Sequence, residues 1–134
     1  MARRPSNFPT QLELQILKIL WRHEALSVRE IREALANHEQ RELAHTTVVT
    51  TLHTMTDKKL VHRERINAKA YRFSARITEQ AVSSGMLDDL LNRVFDGSAA
   101  ALVLNLLESE QVGDDEHREL RRLINRRRGE AGKS

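Results

Sequence analysis

The chain has 134 residues, of which 40% are hydrophobic, 31% charged and only 4% aromatic, and its formal net charge is +3. That length suits one domain, or one small domain with an accessory segment, with a core of Leu, Ile, Val and Ala rather than rings. No stretch approaches the roughly 20 apolar residues of a membrane-spanning helix, and the absence of cysteine excludes disulfides, thiolate metal sites and cysteine nucleophiles.

The first residues, Met1-Ala2-Arg3-Arg4-Pro5, run into polar sequence without the apolar segment of a secretory signal, so a cytoplasmic protein with no membrane insertion is expected. The charges are segregated along the chain. Residues 1–80 carry 14 Lys/Arg against 9 Asp/Glu, residues 81–117 carry 1 against 8, and residues 118–134 carry 7 against 2. A basic first part suits a polyanionic partner, and the acidic segment would be repelled by the same phosphates. Two tasks are expected, one for each half.

In chain order, Thr10-Gln11-Leu12-Glu13 forms a capping box. Leu12, Ile16, Ile19 and Leu20, widened by Leu17 and Trp21, then predict a helix to about His23. Ser27-Val28-Arg29-Glu30 repeats the signature. Val28, Ile31, Ala34 and Leu35 carry a short second helix to near Asn37, a residue suited to a helix end.

The stretch from Thr46 to Met55 is rich in β-branched residues and by propensity reads as strand. Its order says otherwise, because polar and apolar residues come in pairs instead of alternating. At helical periodicity Val48, Leu52 and Met55 fall within about 60° of one another, with Thr46, Thr47, Thr50 and Thr54 on the opposing arc. A third helix is therefore predicted from about His45 to Lys58.

Leu60 to Ile66 and Ala70 to Ser74 read as strands around an Asn67-Ala68-Lys69 turn, with Tyr71 and Phe73 on one face and Arg72 on the other. Three helices followed by a basic hairpin is the order of a winged helix-turn-helix. Beyond it, Thr78 caps a helix bearing Leu87, Leu90, Leu91, Val94 and Phe95. Asp96-Gly97-Ser98 breaks that helix, and Ser98 caps the next through Ala101, Val103, Leu104 and Leu107. Gly113 opens a last helix with Leu120, Leu123 and Ile124, and the tail from Arg126 reads as frayed. The expected organisation is a winged-helix domain at 1–77, a helical domain at 78–128 and a flexible tail at 129–134, in a mainly α chain.

Two features point to DNA. A solvated helix face normally holds Lys, Glu and Gln, which favour helix better than Thr. Four outward threonines instead suit a surface in the major groove, where hydroxyls bond bases or phosphates and methyls meet thymine methyls. Beside it, residues 58–76 carry Lys58, Lys59, Arg63, Arg65, Lys69, Arg72 and Arg76 against Glu64 alone, a set fit for phosphates or a minor groove.

No residues support an enzyme. Asp88-Asp89 and Asp114-Asp115-Glu116 read as first-turn acids complementing helix dipoles. His23, His38, His45, His53, His62 and His117 lack metal-ligand spacing, and phosphate-binding glycine loops and nucleophile elbows are missing. No catalytic residue, cofactor or metal is expected. The apolar side chains after residue 86 are too many for three helices alone. Leu87, Leu90, Leu91, Val94, Phe95, Leu102, Val103, Leu106, Leu107, Leu120, Leu123 and Ile124 are expected to bury against a second copy. From the residues alone, a sequence-specific regulator, a non-specific architectural DNA-binding protein and a winged-helix interaction adaptor all stay open.

The sequence resembles the BlaI/MecI family of penicillinase and methicillin-resistance repressors. In the first half the match is Leu14-Gln15-Ile16-Leu17-Lys18-Ile19-Leu20-Trp21, then Thr46-Thr47-Val48 with Leu52, Lys58, and the wing Lys69-Ala70-Tyr71-Arg72-Phe73. In the second it is Leu91-Asn92-Arg93-Val94-Phe95-Asp96-Gly97, then Leu102-Val103-Leu104-Asn105-Leu106-Leu107-Glu108 and Glu119-Leu120. The resemblance covers about residues 8 to 128. It implies a homodimeric repressor on pseudo-palindromic double-stranded operators in front of antibiotic-resistance or stress genes, with an N-terminal winged helix and a C-terminal dimerisation domain. By position it assigns operator contacts to Thr46, Thr47 and Thr50, and Arg65, Lys69 and Arg72 to the wing; Thr54, on the threonine arc, and Arg63, among the hairpin cations, are further DNA-contact candidates from the residues themselves. It also implies a membrane-bound sensor-protease as partner and a cleavage bond at Asn105-Leu106. The family usually has Arg where Thr54 stands, often Gly where Lys59 stands, and Phe where Leu106 stands. Its copper-responsive branch uses paired cysteines, which this chain lacks.

Overall fold

In a computed structural model, which describes residues 8–131, the first helix begins at the capping box that its sequence predicts. The Met1-to-Pro5 stretch and the last three residues of the expected tail lie outside the described residues. At the start of α1 (Gln11–Leu20), Glu13 N donates to Thr10 Oγ1 at 3.2 Å and Thr10 N to Glu13 Oε1 at 2.8 Å. Ser27 and Glu30 make the same reciprocal pair at the start of α2 (Val28–His38). Each such cap stabilises its helix by about 1 kcal/mol. α1 stops at Leu20 and does not reach His23. Arg22 N and His23 N donate three residues back, to Ile19 and Leu20, so the last turn tightens out of α geometry.

α2 ends at His38, one residue past the expected Asn37. The chain reverses at Gln40, whose φ of 52° is left-handed, and Arg41 N closes back onto Leu35 O at 3.0 Å. Arg32 Nε donates to Leu43 O at 2.7 Å, holding the connection to α3 (His45–Asp57). Here Val48, Leu52 and Met55 are completely buried. Burial of one face overrides the strand propensity of the threonines and valines.

The end of α3 turns on Lys59, which takes a φ of 63°. Lys59 N donates to Thr56 O and Leu60 N to Met55 O, the paired closure that glycine usually serves. The glycine geometry is kept with a lysine in it.

β2 (Val61–Asn67) and β3 (Ala70–Ala75) are antiparallel and lie within one residue of the expected strands. A third strand, β1 (Leu26–Ser27), was not legible in the sequence, because two residues have no alternation to read. It pairs Leu26 with Phe73 and Ser27 with Arg72, giving the order β1-β3-β2. Ile16, Leu17, Leu20, Ile31 and Leu35 join the α3 face, Val61 and Phe73 in one core. Truncating one of these to alanine costs about 2–5 kcal/mol.

Thr78 caps α4 (Glu79–Val94) through Ala81 N at 3.0 Å. The chain divides into two units after Met86, beyond the boundary expected at residue 77, because α4 runs unbroken out of the first core. Val82 is buried there, and a Cβ on Gly85 would stand 3.3 Å from the Phe8 ring. Upstream, Trp21 Nε1 donates to Ile77 O at 2.9 Å.

In the second unit, Asp96 and Gly97 are both left-handed and separate α4 from α5 (Ala99–Glu108), which Ser98 caps at Ala101 N. Asp114, Asp115 and Glu116 open α6 (Asp114–Ala131) as expected. Asp88 and Asp89 do not occupy a first turn; they lie well inside α4, where Asp89 pairs with Arg93 at 3.5 Å. The segment from Arg126 to Ala131 is helix rather than frayed tail, since arginine sustains helix and suits the negative end of its dipole.

Candidate nucleic-acid interface

α3 carries six threonines, and they divide by their hydroxyls. Those of Thr51, Thr54 and Thr56 donate to the carbonyls four residues back, at 2.8, 3.2 and 2.8 Å, as threonine inside a helix tends to do. Thr46, Thr47 and Thr50 are exposed, and among the described residues their hydroxyls make no such bond. Thr54 shares the exposed arc, but its proton is committed to Thr50 O. In contrast to α1 and α2, α3 starts at Ala44 with no side-chain cap and no acid in its first turn.

The wing is organised by one ring. The Arg63 guanidinium lies 4.6 Å and that of Arg65 5.9 Å from the centre of Tyr71, following the cross-strand pairings of Arg63 with Phe73 and Arg65 with Tyr71. Arg65 also donates to Asn67 O and Ala68 O, and Lys69 N to Asn67 Oδ1. The turn is thus held rigid with the Lys69 side chain exposed. Arg72 stands apart. It is exposed on the other face of the hairpin, opposite Glu64 and beside Ser27. There it adds a weak pull on Glu30, whose carboxyl is held below its ordinary value first by the Ser27 N–H and then by the Ser27 hydroxyl.

Between α3 and the wing runs a groove lined by Arg29, His45, Val49, His53, Arg63, Lys69 and Tyr71, among others. Arg63 and Lys69 were expected in such a surface; Arg29, His45, His53 and Tyr71 were not. A signal existed: His45, Val49 and His53 recur every four residues and so share one face of the helix. Among the described residues, no group of three or more His, Asp or Glu is placed to hold a metal ion, and no single helix is long and apolar enough to cross a membrane.

In the second unit no residue of α5 is buried. Leu87, Leu90, Val94, Leu106, Leu107, Leu123 and Ile124 are all more than a third exposed, while Leu91, Phe95, Leu102, Val103 and Leu120 are half-buried. Leu104, exposed at 56%, was missing from the expected interface. Its signal was that every residue of α5 but Asn105 and Glu108 is apolar, a wider face than one neighbouring helix covers. Asn105 and Leu106 are exposed in the middle of α5.

The sequence pattern of the family described as penicillinase repressor matches residues 9–126. The chain belongs to the penicillinase repressor family. This is a family of transcriptional repressors. Among its relatives, the transcriptional regulator BlaI of Mycobacterium tuberculosis is 35% identical over 115 residues, 84% of this chain and 80% of that protein. The methicillin resistance regulatory protein MecI of Mammaliicoccus sciuri is 26% identical over 115 residues, 86% of this chain and 91% of that protein. Among solved structures, that of H. salinarum RosR superposes with a TM-score of 0.52 at 16% identity, covering 90% of this chain and 94% of that one; this is a likeness of fold.

Proposed function

We propose that this member of the penicillinase repressor family acts as a homodimer that binds a pseudo-palindromic operator sequence-specifically. The observation that carries the reading is the arc of free threonine hydroxyls on α3 beside a rigid, cationic wing. Thr46, Thr47 and Thr50 are the base-reading candidates, Arg63 and Lys69 the phosphate contacts. Thr54 serves as an acceptor on the same arc, Arg65 braces the wing turn, and Arg72 reaches at most the flank of the DNA.

The exposed leucines of the second unit support dimerisation. Two modules so tethered turn the second contact into an intramolecular one, worth about 10² to 10⁴ in affinity. Regulation by a membrane-bound sensor-protease belongs to the same reading. The Asn105-Leu106 bond is accessible but helical, so cleavage requires α5 to unwind locally. Cutting there detaches α6 and removes the bivalence without touching a DNA contact.

The test is a titration of the purified protein against its own upstream region and against random-sequence duplex, at two salt concentrations. Saturable binding to the upstream DNA that survives excess random competitor is expected. Equal binding to both, vanishing with salt, would make it an architectural protein; no binding to either would make it an adaptor.

A further inference from the structure

Resting on that DNA-binding reading, we propose that the groove between α3 and the wing seats a backbone phosphate of the DNA, and that His45 and His53 grip it in their protonated form. The groove offers about 350 Å³ and is open on one side, room for a phosphodiester with its flanking sugar atoms. Its polar walls come from three elements: Arg29 at the start of α2, His45 and His53 on α3, and Arg63, Lys69 and Tyr71 on the hairpin. Among the described residues, no carboxylate lines it.

Each cation there has a different commitment. Arg29 is tied to Glu33 at 3.2 Å on the helix surface, and Arg63 is stacked on Tyr71. Lys69 is exposed and, like the two imidazoles, has no carboxylate partner among the described salt bridges. Asp57, one turn beyond His53 on α3, is the acid within reach of that histidine along its own helix. Histidine is the side chain whose charge most readily changes near physiological pH, and a phosphate arriving in the groove meets two of them. A protonated ring donates a charge-assisted hydrogen bond to phosphate, where a neutral one donates a weaker bond. The bound state therefore takes up protons, and DNA affinity rises as pH falls.

The experiment is a fluorescence-anisotropy titration of the full chain against a random-sequence duplex of about three helical turns, at about pH 5.5 and about pH 8, each over a salt series. Circular dichroism at both pH values verifies the fold. Binding is expected to be tighter at the lower pH by roughly tenfold or more, with a salt slope steeper by about 0.9 for each histidine engaged. The double variant H45Q/H53Q loses both effects, whereas H23Q/H38Q, altered outside the groove, retains them. A flat pH profile in the wild type, or an unchanged one in H45Q/H53Q, overturns the proposal while leaving DNA binding intact. Absence of binding at every pH overturns the DNA-binding reading and this inference with it.

Discussion

The Lys58 ammonium stands 2.8 Å from Glu13 Oε1, joining the end of α3 to the start of α1 across 45 residues of sequence. That carboxylate also accepts the Thr10 N–H of the capping box. Glu13 is only 3% exposed and the Lys58 side chain 28%, so the pair is shielded from solvent. One buried acid thus orients two helices, one of them the candidate recognition helix.

Lys58→Met leaves that carboxylate buried without its cation and should cost about 3 kcal/mol in urea unfolding. Adding Glu13→Gln should recover more than half of the loss, because a neutral amide still caps α1. A single-variant cost near zero would mean that the pair behaves like an exposed one.

Lys59→Gly should stabilise the protein by about 1 kcal/mol, since lysine pays for its left-handed backbone where glycine does not. The melting temperature should rise by about 3 °C. A fall would show that the lysine side chain contributes more than its backbone costs.

On α3, Thr47→Ala should reduce discrimination between the upstream region and random DNA by about tenfold with little change in random-DNA affinity. Lys69→Ala should weaken all duplexes alike and flatten the salt slope by about 1. Thr54→Arg, which restores the family's usual residue, should do the reverse and steepen it. Full discrimination by the Thr47 variant would remove α3 from the base-reading role.

Leu106→Asp, or Leu104→Asp, should give monomers by light scattering and lower operator affinity by about 10² to 10⁴. A dimer mass unchanged in both would move the interface away from α5. Both residues are already exposed, so the monomer itself should stay folded.

Much of the fold was legible because it is set over short distances. The capping boxes at Thr10 and Ser27 and the buried stripe of Val48, Leu52 and Met55 each involve residues three or four apart. The break at Asp96-Gly97 is more local still, two adjacent left-handed residues, and none of these signals needs a contact between distant parts of the chain. The family followed from motifs spread along nearly the whole chain. The surplus of leucines after residue 86 could be counted without coordinates.

What the linear chain left undecided depends on contacts between distant residues. Alternation already separated Arg72 from Tyr71, but only the paired hairpin brought Arg63 and Arg65 to the Tyr71 ring and set Glu64 opposite Arg72, because register, not charge, chooses cross-strand partners. β1 exists only as a partner for β3, and Glu13 meets Lys58 only when α1 and α3 share a core. His45 and His53 gained a setting when α3 docked beside the wing. In the sequence they are two exposed imidazoles; in the folded unit they flank a cationic groove. Local periodicity determines which face of an element is buried, and tertiary packing determines which other residues that element's exposed face will meet.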